Sequence, residues 1–159
     1  MEYLKLRKFL KFMLSKYVLF LCLLGTCQAG ELPNPKLTPG YMRTVSVTEL
    51  CTTSTSLVRN VSESTKKLVF SNYGMTGNDK SICGEGFEID HLVSLELGGA
   101  NDPQNLWPQS YCGKYNAHDK DKLENELHGR ICKGQMNIID AQMCIKTDWV
   151  LCYLKTFHK

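Results

Sequence analysis

The stretch "FEIDHLVSLELGGANDPQNLWP", residues 87–108, decides the fold. Phe87, Ile89, Leu92 and Val93 mark a strand, though they alternate only weakly. "LGGANDPQN" is a turn cluster, and "LWP" reads as a short second strand halted by Pro108. An acid and an imidazole, Asp90 and His91, interrupt the apolar run where the first strand should be burying itself. Neighbours on a regular strand point to opposite faces, so this pair can share a site only where the strand ends or bulges.

The pattern changes on either side. Downstream, Leu123, Leu127 and Ile131 recur at helical spacing and predict a helix over about 117–130. Gly134 separates it from a last helix starting near Asn137, with Ile138, Ala141, Ile145, Trp149 and Cys152 on one face and Cys144 on a neighbouring track. Upstream, "SESTKKLVFSNYG" has a Ser62 cap and a Gly74 stop, with Leu68 and Val69 toward the core. Thr48 is placed to cap a short helix through Cys51, and "CTTSTS" reads as a polar turn. Residues 30–45 hold three of the five prolines and read as an extended arm.

The amino end changes the meaning of the composition. Lys5, Arg7, Lys8, Lys11 and Lys16 precede an apolar core from Tyr17 to Leu24, and small or polar residues run to Ala29. This is the order of a secretory signal, expected to be cut near Ala29, and its apolar core is too short to span a bilayer comfortably. The whole chain carries 19 Lys+Arg and 16 Asp+Glu. Residues 1–29 hold five of the cations and one acid, so the remainder has 14 against 15 and a net charge of −1. Overall charge therefore gives no argument for a polyanion partner, and any nucleic-acid site must be a local patch. Residues 30–159 are enough for one domain. They contain six cysteines, at 51, 83, 112, 132, 144 and 152, with no CxxC spacing. In an exported chain this predicts at least two disulfides rather than a zinc ribbon, without choosing among the pairings.

The order strand, turn, strand, helix can bring Asp90, His91, Asn105 and His118 toward one point. A histidine with an ordinary pKa of about 6.5 can take a proton from water near neutral pH. A hard cation held by few protein ligands leaves room for a phosphate. Asn105 can bond backbone groups and pin the loop that carries His91. The plainer readings are a satisfied structural histidine and turn chemistry at Asn105. Glu124 and His128 lie four apart and could hold a second cation or form a solvated ion pair. Lys120 and Lys122 could contact phosphate, or could belong with Asp119 and Asp121 to an exposed mixed-charge face. Trp107 and Trp149 read as core.

"DHLVSLELGGANDPQNLWP" resembles the HNH endonuclease motif of the ββα-metal (His-Me finger) superfamily. The 14-residue spacing from His91 to Asn105, the Gly-Gly between them and the following "NLWP" carry the likeness. "NPKLTPG", "VRNVSESTKKLVFSNYG" and "AHDKDKLENELHGRIC" are similar to the flanks of a group of small exported bacterial HNH-domain proteins, so the resemblance covers roughly 33–154. It implies an α+β fold with a small ββα-metal core at about 85–131, flanking helices and disulfide stabilisation. It implies His91 as general base, Asp90 as a ligand of one divalent cation, and Asn105 as the residue orienting the His91 loop. A compact motif would place the third ligand at Lys114, which is no ligand; His118 is the choice here and Asn116 the rival. The paired zinc-binding cysteines of many HNH proteins are missing. The expectation is thus a secreted or periplasmic endonuclease using Mg²⁺, with Mn²⁺ or Zn²⁺ as alternatives. Its substrate would be nucleic acid, DNA favoured over RNA, and it would have no stable membrane association once the signal is cut. The rivals are a catalytically inert, disulfide-stapled secreted binding or effector module on the same scaffold, and a different metal-dependent hydrolase with the same base and cation.

Overall fold

The structure, a computed structural model, describes residues 32–158. The leader expected at 1–29 lies outside them. Strand β1 (Phe87–His91) pairs antiparallel with β2 (Leu106–Ser110), with Ile89 opposite Pro108 and Asp90 opposite Trp107. Pro108 does not halt the second strand. Leu92 N–H donates to Asn105 O, so the hydrogen-bonded pairs continue as 90–107 and 88–109. Pro108 falls between them, where its nitrogen points away from the partner and no ladder bond is lost.

The 14 residues between the strands fold inward rather than out. Leu92, Val93, Leu95 and Leu97 are all buried, the last two on a short 3-10 turn (Leu95–Leu97). Gly98 takes φ +86° to close that turn. Gly99 meets the chain so closely that a Cβ there would lie 1.7 Å from the Val93 carbonyl oxygen. The proline-rich arm runs along this loop as an extended partner. Gly40 N–H donates to Gln104 O, Arg43 N–H to Gly98 O, and Ala100 N–H to Tyr41 O.

Helices α1 (Val47–Thr52), α2 (Thr55–Val58) and α3 (Glu63–Asn72) follow the arm. Ser46, not Thr48, caps α1 by accepting from Glu49 N–H. The expected polar turn at 51–56 is instead the end of α1 and the single turn α2, capped by Ser54. Ser62 caps α3 as predicted, with Gly74 just past its end at φ +67°. Val69 is buried, but Leu68 is 49 % exposed: only one side of α3 meets the strands, and the adjacent residue points to water.

Helix α4 (Ala117–Cys132) carries Leu123, Leu127 and Ile131 into the core, against Ala141, Ile145 and Trp149 of α5 (Ile138–Phe157). Both tryptophans are buried, as expected. Asn116 and Asn137 cap the two helices. The last helix is not continuous. Asp148 has φ −163° and ψ 96°, and its side chain accepts from Leu151 N–H at 2.8 Å, capping a new segment. On a straight helix, residues eight apart stand about 12 Å apart. Cys144 and Cys152 form a disulfide with Cα atoms 5.5 Å apart, which only the break permits. Cys51–Cys132 ties α1 to the end of α4, and Cys83–Cys112 ties the loop before β1 to the residues after β2. All six cysteines among the described residues are paired, in the manner of proteins from oxidising compartments. Among the described residues no helix is long and apolar enough to cross a membrane.

Candidate functional site

His91 is the last residue of β1, so the strand's alternation ends at the residue where a shared site requires it. Asp90 and His91 line one cleft of about 210 Å³, together with Ser94 and Glu96, Thr55 and Arg59, and Asp121, Glu124 and Asn125 from α4.

His91 is 2 % exposed. Its Nε2 lies 3.1 Å from Asn101 Oδ1. The Asn101 amide is oriented by two backbone groups: Nδ2 donates to Val58 O at 2.8 Å, and Oδ1 accepts from Asn60 N–H at 3.2 Å. An oxygen facing Nε2 requires a proton there, so neutral His91 carries its lone pair on Nδ1. No hydrogen bond among the described residues engages Nδ1. Burial pushes the imidazole below its ordinary 6.5, and the positive charges of Arg59 and Lys120 push the same way; the Asn101 bond and Asp90 oppose them. His91 is therefore a neutral base at neutral pH.

Lys120 is 1 % exposed, neither a phosphate contact nor part of an exposed face. Its Nζ donates to Asp90 Oδ2 and to His91 O, both at 2.6 Å, and to Glu124 Oε1. Burial works against the ammonium, but Asp90 and Glu124 outweigh it and hold it charged, well above the usual lysine range. One ammonium cannot neutralise two buried carboxylates. Burial pushes Glu124 up to about 8 despite Lys120, and Asp90 adds to the push. Asp121 and Glu96 are raised too, first by burial, and Asp90 and Asp121 add their repulsion to each respectively. The cleft thus holds more negative charge than its lysine balances. Glu124 does not face His128, so the expected pair between them is absent; His128 Nδ1 instead lies 3.6 Å from Glu96 Oε2.

The donors suit a hard divalent cation. Carboxylates raised by burial, and further by one another, would each be relieved by it, and oxygen is the donor such ions take. Ser94, 5 % exposed and on the cleft wall, has a buried Oγ with no partner among the described residues, one more oxygen for a ligand or its water.

The remaining sequence candidates sit elsewhere. Asn105 is fully buried behind the cleft. Its Oδ1 accepts from Val93 N–H at 3.0 Å, and its Nδ2 donates to Val93 O and Ala100 O, each at 2.9 Å, so it clamps the loop that follows His91. His118 is exposed, its ring 5.5 Å from that of Tyr111, and does not line the cleft. Its rival Asn116 is occupied as the helix cap. Asn101, Arg59, Glu96 and Asp121 were not singled out by sequence. Lys120 and Glu124 had a signal: they precede and follow Leu123 at i−3 and i+1, on the margin of the apolar stripe, where a charge must be buried or bent away.

Compared with known protein families, curated proteins and solved structures, the chain matches none.

Proposed function

We propose that this chain is an exported, divalent-cation-dependent endonuclease of HNH type that hydrolyses phosphodiester bonds in nucleic acid, with DNA favoured. The observation that carries the reading is His91: buried, neutral, with its tautomer set by Asn101, beside an over-charged carboxylate cleft. The Nδ1 lone pair takes a proton from water, the water oxygen bonds to phosphorus, and the ester oxygen on the opposite side leaves. Asp90 from β1 and Asp121 from α4 would hold the cation, with Glu124 also on the cleft lining; His118 does not line the cleft and is not the first choice. Mg²⁺, or Mn²⁺ in its place, would supply charge stabilisation at phosphorus and at the leaving oxygen. Lys120 holds Asp90 by one oxygen and His91 by its backbone carbonyl, so both are fixed before substrate arrives. Arg59, exposed on the rim, is placed to meet a non-bridging phosphate oxygen. With a net charge of −1 after the leader, few phosphate contacts are expected, so binding should be modest and its fall with salt shallow. The disulfides and the leader favour a secreted or periplasmic location.

The second reading is an inert binding module, favoured by the same lysine: Asp90 and Glu124 already have a cation. Purified protein incubated with Mg²⁺ or Mn²⁺ and plasmid or RNA separates the two. Cutting that disappears with chelator and in His91→Ala supports the nuclease. Wild-type protein that cuts neither substrate with either metal supports the module.

A further inference from the structure

We propose that, when the Cys51–Cys132 bridge is reduced, Cys51, His128 and Cys132 form a zinc site whose ligands lie outside the carboxylate cleft, with Glu96 of the cleft wall behind His128. His128 and Cys132 lie one helical turn apart on α4 and share a face, and α1 brings Cys51 to them. The three ligand atoms all lie within 4.8 Å of one another. In the oxidised chain the sulfurs are joined, and His128 Nε2 is 3.4 Å from Cys132 Sγ and 3.1 Å from Leu50 O. Two thiolates and an imidazole are zinc donors, and they are the wrong donors for Mg²⁺.

The far side of the ring strengthens the assignment. Glu96 Oε2 is 3.6 Å from His128 Nδ1. In the oxidised chain Nε2 donates to the Leu50 carbonyl, so zinc must displace that proton. With Nε2 on the metal the ring's remaining proton sits on Nδ1, on the side of Glu96, whose carboxylate would support a metal-bound histidine. Cys132 is exposed, so an ion can enter, and a water can take the fourth position. The site would restore the tie between α1 and α4 that reduction removes.

The redox step balances with a dithiol reductant. The S–S bond takes up two electrons and two protons, the dithiol closes to its own disulfide, and the two new thiols release their protons to water as the Zn–S bonds form. The site does not depend on the nuclease reading.

The test uses the purified chain reduced by a trialkylphosphine, which leaves as its oxide, and titrated with Zn²⁺ against a chromophoric chelator. The oxidised chain is titrated in parallel to count any ion taken by the carboxylate cleft. The reduced protein is expected to bind one Zn²⁺ that the oxidised protein does not. His128→Gln keeps a donor for the Leu50 carbonyl and leaves the bridge able to form; it should lower the affinity ~100-fold or more, and Glu96→Gln by about 10–100-fold. Co²⁺ in place of Zn²⁺ should give thiolate charge-transfer bands in wild type that Cys51→Ser lacks, although both keep the other four thiols. Equal zinc affinity in reduced wild type, His128→Gln and Cys51→Ser overturns the proposal, as does the absence of any extra ion on reduction. Circular dichroism of oxidised His128→Gln checks its fold. If it does not fold, Glu96→Gln and the cobalt spectra decide.

Discussion

Lys120→Met removes the charge on which the cleft is built while nearly keeping the side chain's volume. The ammonium makes three bonds, to Asp90, Glu124 and the His91 carbonyl. At about 1.5–3 kcal/mol for each charged bond, the gross loss is about 5–9 kcal/mol. Two features reduce it. Glu124, pushed up to about 8, is already mostly protonated at pH 6.5, so losing the ammonium leaves no bare buried charge there. Asp90, with 16 % of its side chain exposed, is partly rehydrated. The net expectation is a loss of about 3–5 kcal/mol, the range for breaking a buried ion pair. A pH signature accompanies it. A carboxyl with a raised folded pKa contributes stability that is fully present below its unfolded value and lost as pH rises through the folded one. In the wild type that loss is complete somewhat above pH 8. Without the ammonium the Glu124 pKa moves higher, so the gap between the two proteins widens above pH 8, by up to about 1.4 kcal/mol per unit. Urea denaturation with the bridges oxidised, followed by fluorescence of the buried Trp107 and Trp149, measures both quantities at pH 6.5 and pH 9. A loss under about 1 kcal/mol, or a gap that stays constant or narrows at the higher pH, would refute the buried-lysine argument.

Three further outcomes are expected. Asn101→Asp places a carboxylate against Nε2–H of His91 and should move the acidic limb of the pH–rate profile upward by about one unit or more, whereas Asn101→Leu should slow the reaction without that shift; identical limbs in the two variants would remove Asn101 from its positioning role. Gly99→Ala drives a Cβ into the Val93 carbonyl, a backbone atom that cannot step aside, and should cost about 3 kcal/mol or more in a thermal or urea melt. Cys51 and Cys132 are 81 residues apart and Cys144 and Cys152 only 8. Chain entropy then gives the first bridge about 4.5 kcal/mol and the second about 2.5, so serine pairs at the two sites should differ by about 2 kcal/mol in the same melts.

The parts legible in the sequence were those where one local rule operates without competition. Ser62 and Gly74 bracket α3 because a cap and a left-handed stop are single-residue effects. The stripe of Leu123, Leu127 and Ile131 is buried because helical period and hydrophobicity agree. The misreadings came where tertiary contacts decide. Pro108 stays in its strand because the ladder's phase turns its nitrogen outward, and that phase is set by the pairing of Leu92 with Asn105. Leu68 is exposed because only one side of α3 has a neighbour. Lys120 looked like a surface cation beside two aspartates, yet its burial depends on Asp90, thirty residues away in sequence. At the candidate site, Asp90 and His91 were readable from their interruption of an apolar run. Asn101 was not, because its meaning comes from Val58 and Asn60, which the chain brings up from the far side of α3.

The interruption at Asp148 has a consequence for what lengths this chain tolerates. Both the cap on Leu151 and the sulfur link between Cys144 and Cys152 are measured from that joint. One residue inserted between the two cysteines would swing every later side chain by about 100° around the second shaft. Trp149 or its neighbours would then leave the interior, and the sulfurs would no longer meet. The interval 144–152 therefore acts as a ruler of fixed length, while residues beyond Tyr153 can be shortened or extended at little cost.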